Sequence, residues 1–293
     1  MQLSIITINY NKSDLTLSCL KSLYLQYNKE LNENIFEVIL VDNASRLSDW
    51  NRLEQKIKLK NYKNLKIVKN KSNVGFSKGC NIGAQKADGD MFLFLNNDTE
   101  IKDRGLVGMI DFLVKNDQVQ VLGGKLMNPD QSEQVSVGKF YTLVNAFLLL
   151  IGLQRLGFVN NNPTKTSKVD WVKGGCLMVR KKVFESLSGF DENLFMYIED
   201  MEFCYRAKSA GYKVFFFPHV TIVHVDQGSS DRAFAIVNIY QNLLYFYKKH
   251  RSRKEYLFLK TVLYAKALIL IALGKITNSK YLISTYEKAL KVA

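Results

Sequence analysis

The chain has 293 residues, 41 Lys and Arg against 27 Asp and Glu for a formal charge of +14, and 47% hydrophobic residues. These proportions belong to a globular chain and exclude a disordered or collagen-like one; the length suits one large domain with an appendage, or two small domains. The four cysteines (Cys19, Cys80, Cys176, Cys204) lie far apart with no Cys-x-x-Cys and no paired Cys/His spacing, which excludes a zinc or disulfide framework and fits reduced thiols in a cytosolic protein.

The N-terminus lacks a basic segment and a small-residue cleavage site, so no signal peptide is expected. Residues 3–10 form a β-rich run, and Ser13-Asp14 is placed to cap a helix with Leu17, Leu20, Leu23, Tyr24 and Tyr27 on one face. A second strand is predicted at 36–42, a helix at 49–60 and a third strand at 65–68. The segment 73–83 is polar and contains Gly. A fourth strand at 91–95 stops at Asn96-Asn97-Asp98. Strands alternating with helices predict parallel βαβ units with helices on both sheet faces. Further on, strands are predicted at 120–124, 176–180, 214–217 and 221–225, with a helix at 199–210 that ends before Gly211. From Asp231 the pattern is helical, in three helices.

The charge is uneven. Residues 239–293 hold 11 Lys and Arg but only Glu255 and Glu287, and the densest run is 248–254. Two readings stand: a solvated helical face, or a basic strip beside an apolar helix that binds anionic lipid. Nucleic acid is not expected as a partner, because no zinc-finger or RNA-binding signature accompanies the charge. The uncharged stretch 140–154 is shorter than the roughly 20 residues of a membrane-spanning helix. Residues 256–273 are long enough but carry Lys260 and Lys266, so no transmembrane span is predicted.

In an open α/β sheet, ligands bind beyond the carboxyl ends of the strands. Here those ends are 7–11, 42–45 and 96–98, three polar exits that should meet at one cleft edge. Neither Gly-x-x-x-x-Gly-Lys-Ser/Thr nor Gly-x-Gly-x-x-Gly occurs after the first strand, which excludes simple P-loop and dinucleotide-binding readings.

The motifs Ser4-Ile-Ile-Thr-Ile-Asn-Tyr-Asn11, Val41-Asp-Asn-Ala-Ser45, Asn73-Val-Gly-Phe76 with Asn81-x-Gly83, and Leu95-Asn-Asn-Asp-Thr99 are followed by Trp171-Val-x-Gly-Gly175, Gly189-Phe-Asp-Glu192, Glu199-Asp200 with Arg206 and Gly211, and His224 ahead of Gly228-Ser229. In that order, over residues 2–230, they resemble glycosyltransferase family 2, especially its bacterial rhamnosyltransferase-like branch. The resemblance implies a GT-A fold: an α/β domain at 1–230 with a Rossmann-like, mostly parallel sheet, and a basic helical extension at 231–293.

It also implies a cytosolic, inverting transfer of a sugar from a UDP- or dTDP-sugar, rhamnose-type included, to a hydroxyl of a lipid-linked or polysaccharide acceptor in cell-surface glycan synthesis. On that likeness Thr7, Asn9 and Tyr10 line the nucleotide pocket, and Asp42 accepts from the N3–H of uracil or thymine. Asn73 and Gly75 shape the pocket floor, and Asn81, Asn96 and Asn97 join the nucleotide contacts. Asp98 and His224 would ligate Mn²⁺ or Mg²⁺, with Asn96 departing from the acidic first position of the family's Asp-x-Asp. Asp200 is the implied general base, and Trp171, Gly174, Gly175 and Glu199 face donor sugar or acceptor. Arg206 would buttress the acidic cluster, and Glu202 is given no role.

A sugar nucleotidyltransferase of related fold would need a Gly-rich, basic loop after the first strand, which 7–12 lacks. A non-enzymatic basic membrane- or nucleic-acid-binding protein would leave Asp42, Asp98 and Asp200 unexplained, and an inactive transferase is the reading that Asn96 leaves open. Residues 248–273 are expected to touch the inner face of the plasma membrane peripherally, or else to pack on the catalytic domain or form a homo-oligomer interface.

Overall fold

The computed structural model describes residues 1–140, 142–145, 161–225 and 231–293. Most of the apolar stretch 140–154 lies outside them, as do Gly228 and Ser229. The chain divides into two compact units. One comprises Met1–Gly138, Asn161–Phe195 and the described part of Glu199–Ser229. The other comprises Met196–Ile198, the described part of Ser230–Ala293 and the few described residues of Lys139–Asn160.

The first unit is built on β1 (Leu3–Asn9), β2 (Phe36–Asp42), β3 (Leu65–Lys69), β4 (Met91–Leu95), β5 (Thr99–Ile101), β6 (Val119–Met127), β8 (Ser167–Lys168), β10 (Cys176–Arg180) and β11 (Lys213–His224). They form a nine-stranded sheet in the order β3-β2-β1-β4-β10-β6-β11-β5, with β8 beside β11. The β3-β2-β1-β4 half is parallel, as is β6 with β11, whereas β10 runs antiparallel between β4 and β6. Every residue of β1, β2 and β4 is buried, as expected of parallel strands covered on both faces. A two-stranded ribbon pairs β7 (Val137–Gly138) with β9 (Trp171–Val172). The predicted strands at 214–217 and 221–225 are one strand, β11, whose pairing with β6 is interrupted by a bulge between Phe217 and Thr221.

Helices α1 (Ser13–Asn32), α2 (Leu47–Lys60), α3 (Phe76–Ala84), α4 (Gly105–Lys115), α5 (Lys181–Ser186) and α6 (Glu199–Ser209) belong to the same unit. Two differ from expectation. Ser13 does not cap α1: it is already helical, Lys12 holds the cap position without a side-chain bond, and the Ser13 N–H donates to Asp49 Oδ1 at 3.2 Å. The polar segment 73–83 folds largely into α3, because its small residues let the helix lie directly on β1. A Cβ at Gly83 would come within 2.6 Å of Ile6 Cγ2.

Leu20, Leu23 and Tyr27 of α1, Leu53 of α2 and Leu106, Met109 and Leu113 of α4 fill one sheet face with Leu3, Ile5, Val38 and Leu40. Each fully buried Leu or Ile side chain adds about 1.5–3 kcal/mol. Near α5 and α6, Phe92, Phe94, Phe184, Phe190 and Phe203 stack with ring centroids 4.8–6.5 Å apart. All four cysteines are buried, in α1, α3, β10 and α6 respectively.

The second unit has the three helices expected: α7 (Arg232–His250), α8 (Arg253–Ile276) and α9 (Lys280–Val292). Asp231 caps α7, Ser252 and Glu255 form a capping box on α8, and Ser279 caps α9. Within this unit Asn242 of α7 donates to the carbonyls of Met196 (2.7 Å) and Tyr197 (3.0 Å). Tyr197 and Ile198 have φ of 75° and 70°; a left-handed β-branched residue costs about 1–3 kcal/mol. Among the described residues α8 alone is long and apolar enough to cross a membrane. Its best window has a mean hydropathy of 1.9 and is 22% buried. It is the 256–273 run seen in the sequence, with Lys260 and Lys266 inside it, and length and composition alone set it apart. Leu257, Phe258, Leu268, Ile269 and Ile276 lie exposed along it.

Candidate active site

The ends of β1, β2 and β4 are tied together by a buried hydrogen-bond chain. Asn97 Nδ2 donates to Thr16 Oγ1 (2.9 Å), Thr16 donates to Asn9 Oδ1 (2.8 Å), and Asn9 Nδ2 donates to Asp42 Oδ1 (2.9 Å) and Ser45 Oγ (3.0 Å). The Ser45 N–H donates to the other Asp42 oxygen at 3.1 Å. Each oxygen of Asp42 thus has a donor and keeps a lone pair for a ligand. Tyr10 is exposed just beyond β1.

Next to Asp42, the buried Asn43 is a hub. Its Nδ2 donates to Asn73 Oδ1 and the Gly75 carbonyl, both at 3.0 Å, and its Oδ1 accepts from Asn70 Nδ2 and the Val74 N–H. Asn73 also accepts from the Gly75 N–H at 3.1 Å. Gly75 has φ of 85°, and a Cβ there would lie 2.5 Å from the Phe195 carbonyl, so both backbone conformation and space demand glycine.

Beyond β4, Asp98 and His224 are buried with Oδ1 and Nε2 3.2 Å apart. The strand pairing of β11 with β5 brings this about: His224 lies opposite Thr99, and the Val225 N–H donates to the Asp98 carbonyl. Asn96 Nδ2 lies 3.1 Å from the same His224 Nε2. A carboxylate oxygen beside an imidazole nitrogen is a donor pair suited to a divalent cation such as Mn²⁺. Among the described residues no group of three or more His, Cys, Asp and Glu could hold a metal, so further ligands would have to come from substrate phosphate and water.

The Asn96 N–H donates to the Gly175 carbonyl, and one residue earlier the Gly174 N–H donates to Asp200 Oδ2 at 2.8 Å. The Asp98–His224 pair and Asp200 therefore flank one two-residue turn. Asp200 opens α6, and its Oδ1 accepts from the Met201 N–H at 2.7 Å. Burial raises its pKa, against the opposing pull of those two N–H groups and of the Lys173 charge. Burial, together with the neighbouring Asp200 charge, pushes Glu199 up to about 8, and Glu199 Oε2 is buried with no hydrogen-bond partner. Glu202, one turn on, is neutralised by Arg206, whose Nε lies 2.8 Å from Glu202 Oε2 and whose guanidinium also donates to the carbonyls of Leu187 and Gly189. Trp171, half-buried in β9, stands three residues before Gly174.

Five of the expected nucleotide contacts are placed as follows. Thr7 pairs with Leu40 in register two residues before the end of β1, and its hydroxyl is buried with no hydrogen-bond partner among the described residues. Asn9 is wholly buried with both ends of its amide committed, so it holds Asp42 in place. Asn97 is turned to Thr16. Asn81 donates to the Phe190 carbonyl and accepts from the Phe190 N–H, each at 2.9 Å, so it clamps the 190–192 turn. Asn96 faces His224. Sequence reasoning missed Thr16, Ser45 and Asn43, although the last two lie within the Val41–Ser45 motif. It also missed Gln134, which nothing in the sequence marks.

The mixed sheet flanked by helices, with polar strand ends and the Asp98–His224 pair along one edge, has the GT-A type of fold. A glycosyl transferase family 2 model matches residues 4–188, and the chain belongs to that family. A model of the N-terminal domain of galactosyltransferase matches residues 155–227. The low-salt glycan biosynthesis hexosyltransferase Agl10 of Haloferax volcanii is 24% identical over 82% of this chain and 73% of its own length. The N-acetylglucosaminyl-diphospho-decaprenol L-rhamnosyltransferase of Mycobacterium tuberculosis is 25% identical over 68% of this chain and 70% of its own. Among solved structures, the mannosyltransferase PcManGT of Pyrobaculum calidifontis, in complex with GDP-Man and Mn²⁺, has a TM-score of 0.61 at 14% identity. It covers 99% of this chain and 85% of its own. GalNAc-T7 with UDP, GalNAc and Mn²⁺ has a TM-score of 0.59 at 18% identity, over 87% of this chain and 56% of that one.

Proposed function

We propose that this glycosyltransferase inverts the anomeric centre of a UDP- or dTDP-sugar, a rhamnose-type donor included, and delivers the sugar to a hydroxyl of a lipid-linked or polysaccharide acceptor. The observation that carries the reading is the half-buried Asp200 carboxylate, held at the start of α6 by the Gly174 N–H, with the Asp98–His224 pair on the other side of the Gly174-Gly175 turn. Asp42 accepts from the base N3–H that uracil and thymine share, with Tyr10, Asn73 and Gly75 around it. Trp171, Gly174, Gly175 and Glu199 border the sugar and acceptor.

Asp200 takes the acceptor hydroxyl proton as that oxygen bonds to the anomeric carbon. The bond from carbon to the diphosphate breaks on the opposite face, and its electron pair leaves with the nucleoside diphosphate. Asp98 and His224 would hold the divalent cation, Mn²⁺ or Mg²⁺, which supplies charge neutralisation for the departing diphosphate. Asn96 adds no charge to this set.

The catalytic domain in this reading is 1–230 and the basic helical extension 231–293. Residues 248–273 lie peripherally on the cytoplasmic face of the membrane that carries the acceptor. The exposed apolar residues of α8, beside Arg253, Lys254 and Lys260, support that contact. Calorimetry of UDP, dTDP, GDP and CMP with and without Mn²⁺ tests the donor: UDP or dTDP should bind best, and equal GDP binding overturns the Asp42 assignment. Flotation with anionic liposomes tests the extension. Binding should weaken as salt rises, and protein that ignores such vesicles at low salt makes α8 a packing or homo-oligomer element instead.

A further inference from the structure

We infer that Gln134 fixes His224 as its Nδ1–H tautomer and thereby presents the Nε2 lone pair, beside Asp98, to a divalent cation. This role rests on the reading of Asp98 and His224 as metal ligands. After β6 the chain turns through residues 128–132, Met127 bridges to Glu133, and the Gln134 N–H donates to the Leu126 carbonyl at 2.9 Å. That return lays the Gln134 amide against His224, 90 residues away in sequence.

The amide's orientation follows from its other contacts. Gln134 Nε2 lies 2.6 Å from the His224 backbone carbonyl and 2.8 Å from Asn128 Oδ1. A backbone carbonyl can only accept, so the end of the amide facing it is the NH₂. The opposite end, Oε1, lies 2.9 Å from His224 Nδ1 and can only accept in turn, so Nδ1 carries the proton. The amide cannot swing away. Its residue is buried, and the Gln134 carbonyl accepts from Asn162 Nδ2 (2.7 Å) and Ser136 Oγ (2.9 Å).

With the proton on Nδ1, the ring in its neutral form carries its lone pair on Nε2, 3.2 Å from Asp98 Oδ1 and 3.1 Å from the Asn96 amide nitrogen, which donates to it. A cation held by Nε2 and Asp98 together would take the place of that amide donor and offset the repulsion between the two acceptors. In water the neutral imidazole prefers the other tautomer, with Nε2–H, which would block the ligating nitrogen. A fixed acceptor at Nδ1 reverses that preference before any cation arrives. Gln134 is thus a positioning residue that acts through His224; partners of this kind are typically worth about 10–100-fold in metal affinity.

The chain has only three histidines, so long-range ¹H–¹⁵N correlation spectra of the metal-free protein can resolve each ring. The expected result is an Nδ1–H His224 in the wild type and growth of the Nε2–H form in Gln134→Met. Mn²⁺ affinity, read by electron paramagnetic resonance, should fall about 10–100-fold in that variant. Metal-free nucleotide binding should not change in that variant. An Nε2–H His224 in the wild type overturns the proposal whatever the variant does, and so does Gln134→Met with wild-type tautomer and Mn²⁺ affinity. Wild-type protein that binds no Mn²⁺ at all overturns the metal reading itself and this role with it.

Discussion

Asp42 and Asp200 both stand at the cleft edge, and their surroundings are opposite in kind. Asp42 is met by the Asn9 amide and the Ser45 N–H, with Thr16 and Asn97 bracing Asn9 from behind. Asp200, half-buried, also receives two N–H groups, but it adjoins the buried Glu199 carboxyl, whose Oε2 has no partner, and desolvation raises the pKa of both. A carboxylate supplied with fixed donors is a stable template for recognising a ligand. One crowded into a desolvated pair is poised to take up a proton. The same functional group is thus steered toward binding or toward chemistry by what surrounds it.

The contrast breaks most sharply at Asp200. Asp200→Asn keeps the size and one of the two accepted N–H bonds but removes the base, so turnover should fall by about 10²–10⁴ while nucleotide affinity stays near wild type. Steady-state kinetics beside calorimetry measure both, and near-normal turnover would move the base to Glu199 or Asp191. Asp42→Ala should do the reverse, weakening UDP or dTDP by about 1.5–3 kcal/mol through the lost charge-assisted bond. An unchanged nucleotide affinity would separate Asp42 from the base.

The bracing chain predicts a third outcome. Thr16→Val leaves Asn97 Nδ2 and Asn9 Oδ1 buried without their partner, at a cost of about 1–3 kcal/mol in unfolding free energy. Nucleotide affinity should drop with it, while the acid limb of the pH–rate profile stays in place. A shift of that limb would mean the two carboxylate regions are coupled.

The last contrast concerns Glu199. Its folded-state pKa of about 8 exceeds the ordinary 4.5, so between those values the folded chain keeps a proton the unfolded chain has released. Stability from that protonated carboxyl is full below pH 4.5 and is lost as the pH rises through about 8. Glu199→Gln should therefore gain on the wild type in denaturant titrations as pH increases across that window. A constant difference would show Glu199 already ionised at neutral pH.

The strands β1, β2, β4 and β10 were legible because each is a short apolar run bounded by polar residues, and the strand-end positions of Asp42 and Asp98 followed from where the runs end, whereas Asp200, at a helix start, was named through the family resemblance. The direction of the neighbouring polar side chains was not. Whether Thr7 or Asn9 faces a ligand depends on which sheet face it occupies and on what comes to meet it, here Leu40 in register and Thr16 from a helix. Asn81, Asn97 and Gln134 find their partners 109, 81 and 90 residues away, beyond anything a local pattern encodes. Helix α3 was hidden for a different reason: glycines weaken helix propensity, and only the close approach to Ile6 and Ile8 explains their presence.

The four buried cysteines give the molecule a set of internal clocks. Burial pushes Cys19 and Cys176 up to about 12 and raises Cys80 and Cys204 as well, so none is a thiolate at neutral pH in the closed fold. A thiol-labelling reagent can then react only when the element around a given cysteine opens. Cys204 rides on the helix that carries Asp200, Cys80 on the helix laid against β1, and Cys176 on the strand just after the two-glycine turn. Mass-resolved labelling rates at the four positions would rank how often each part of the cleft's scaffold comes apart, without any engineered probe.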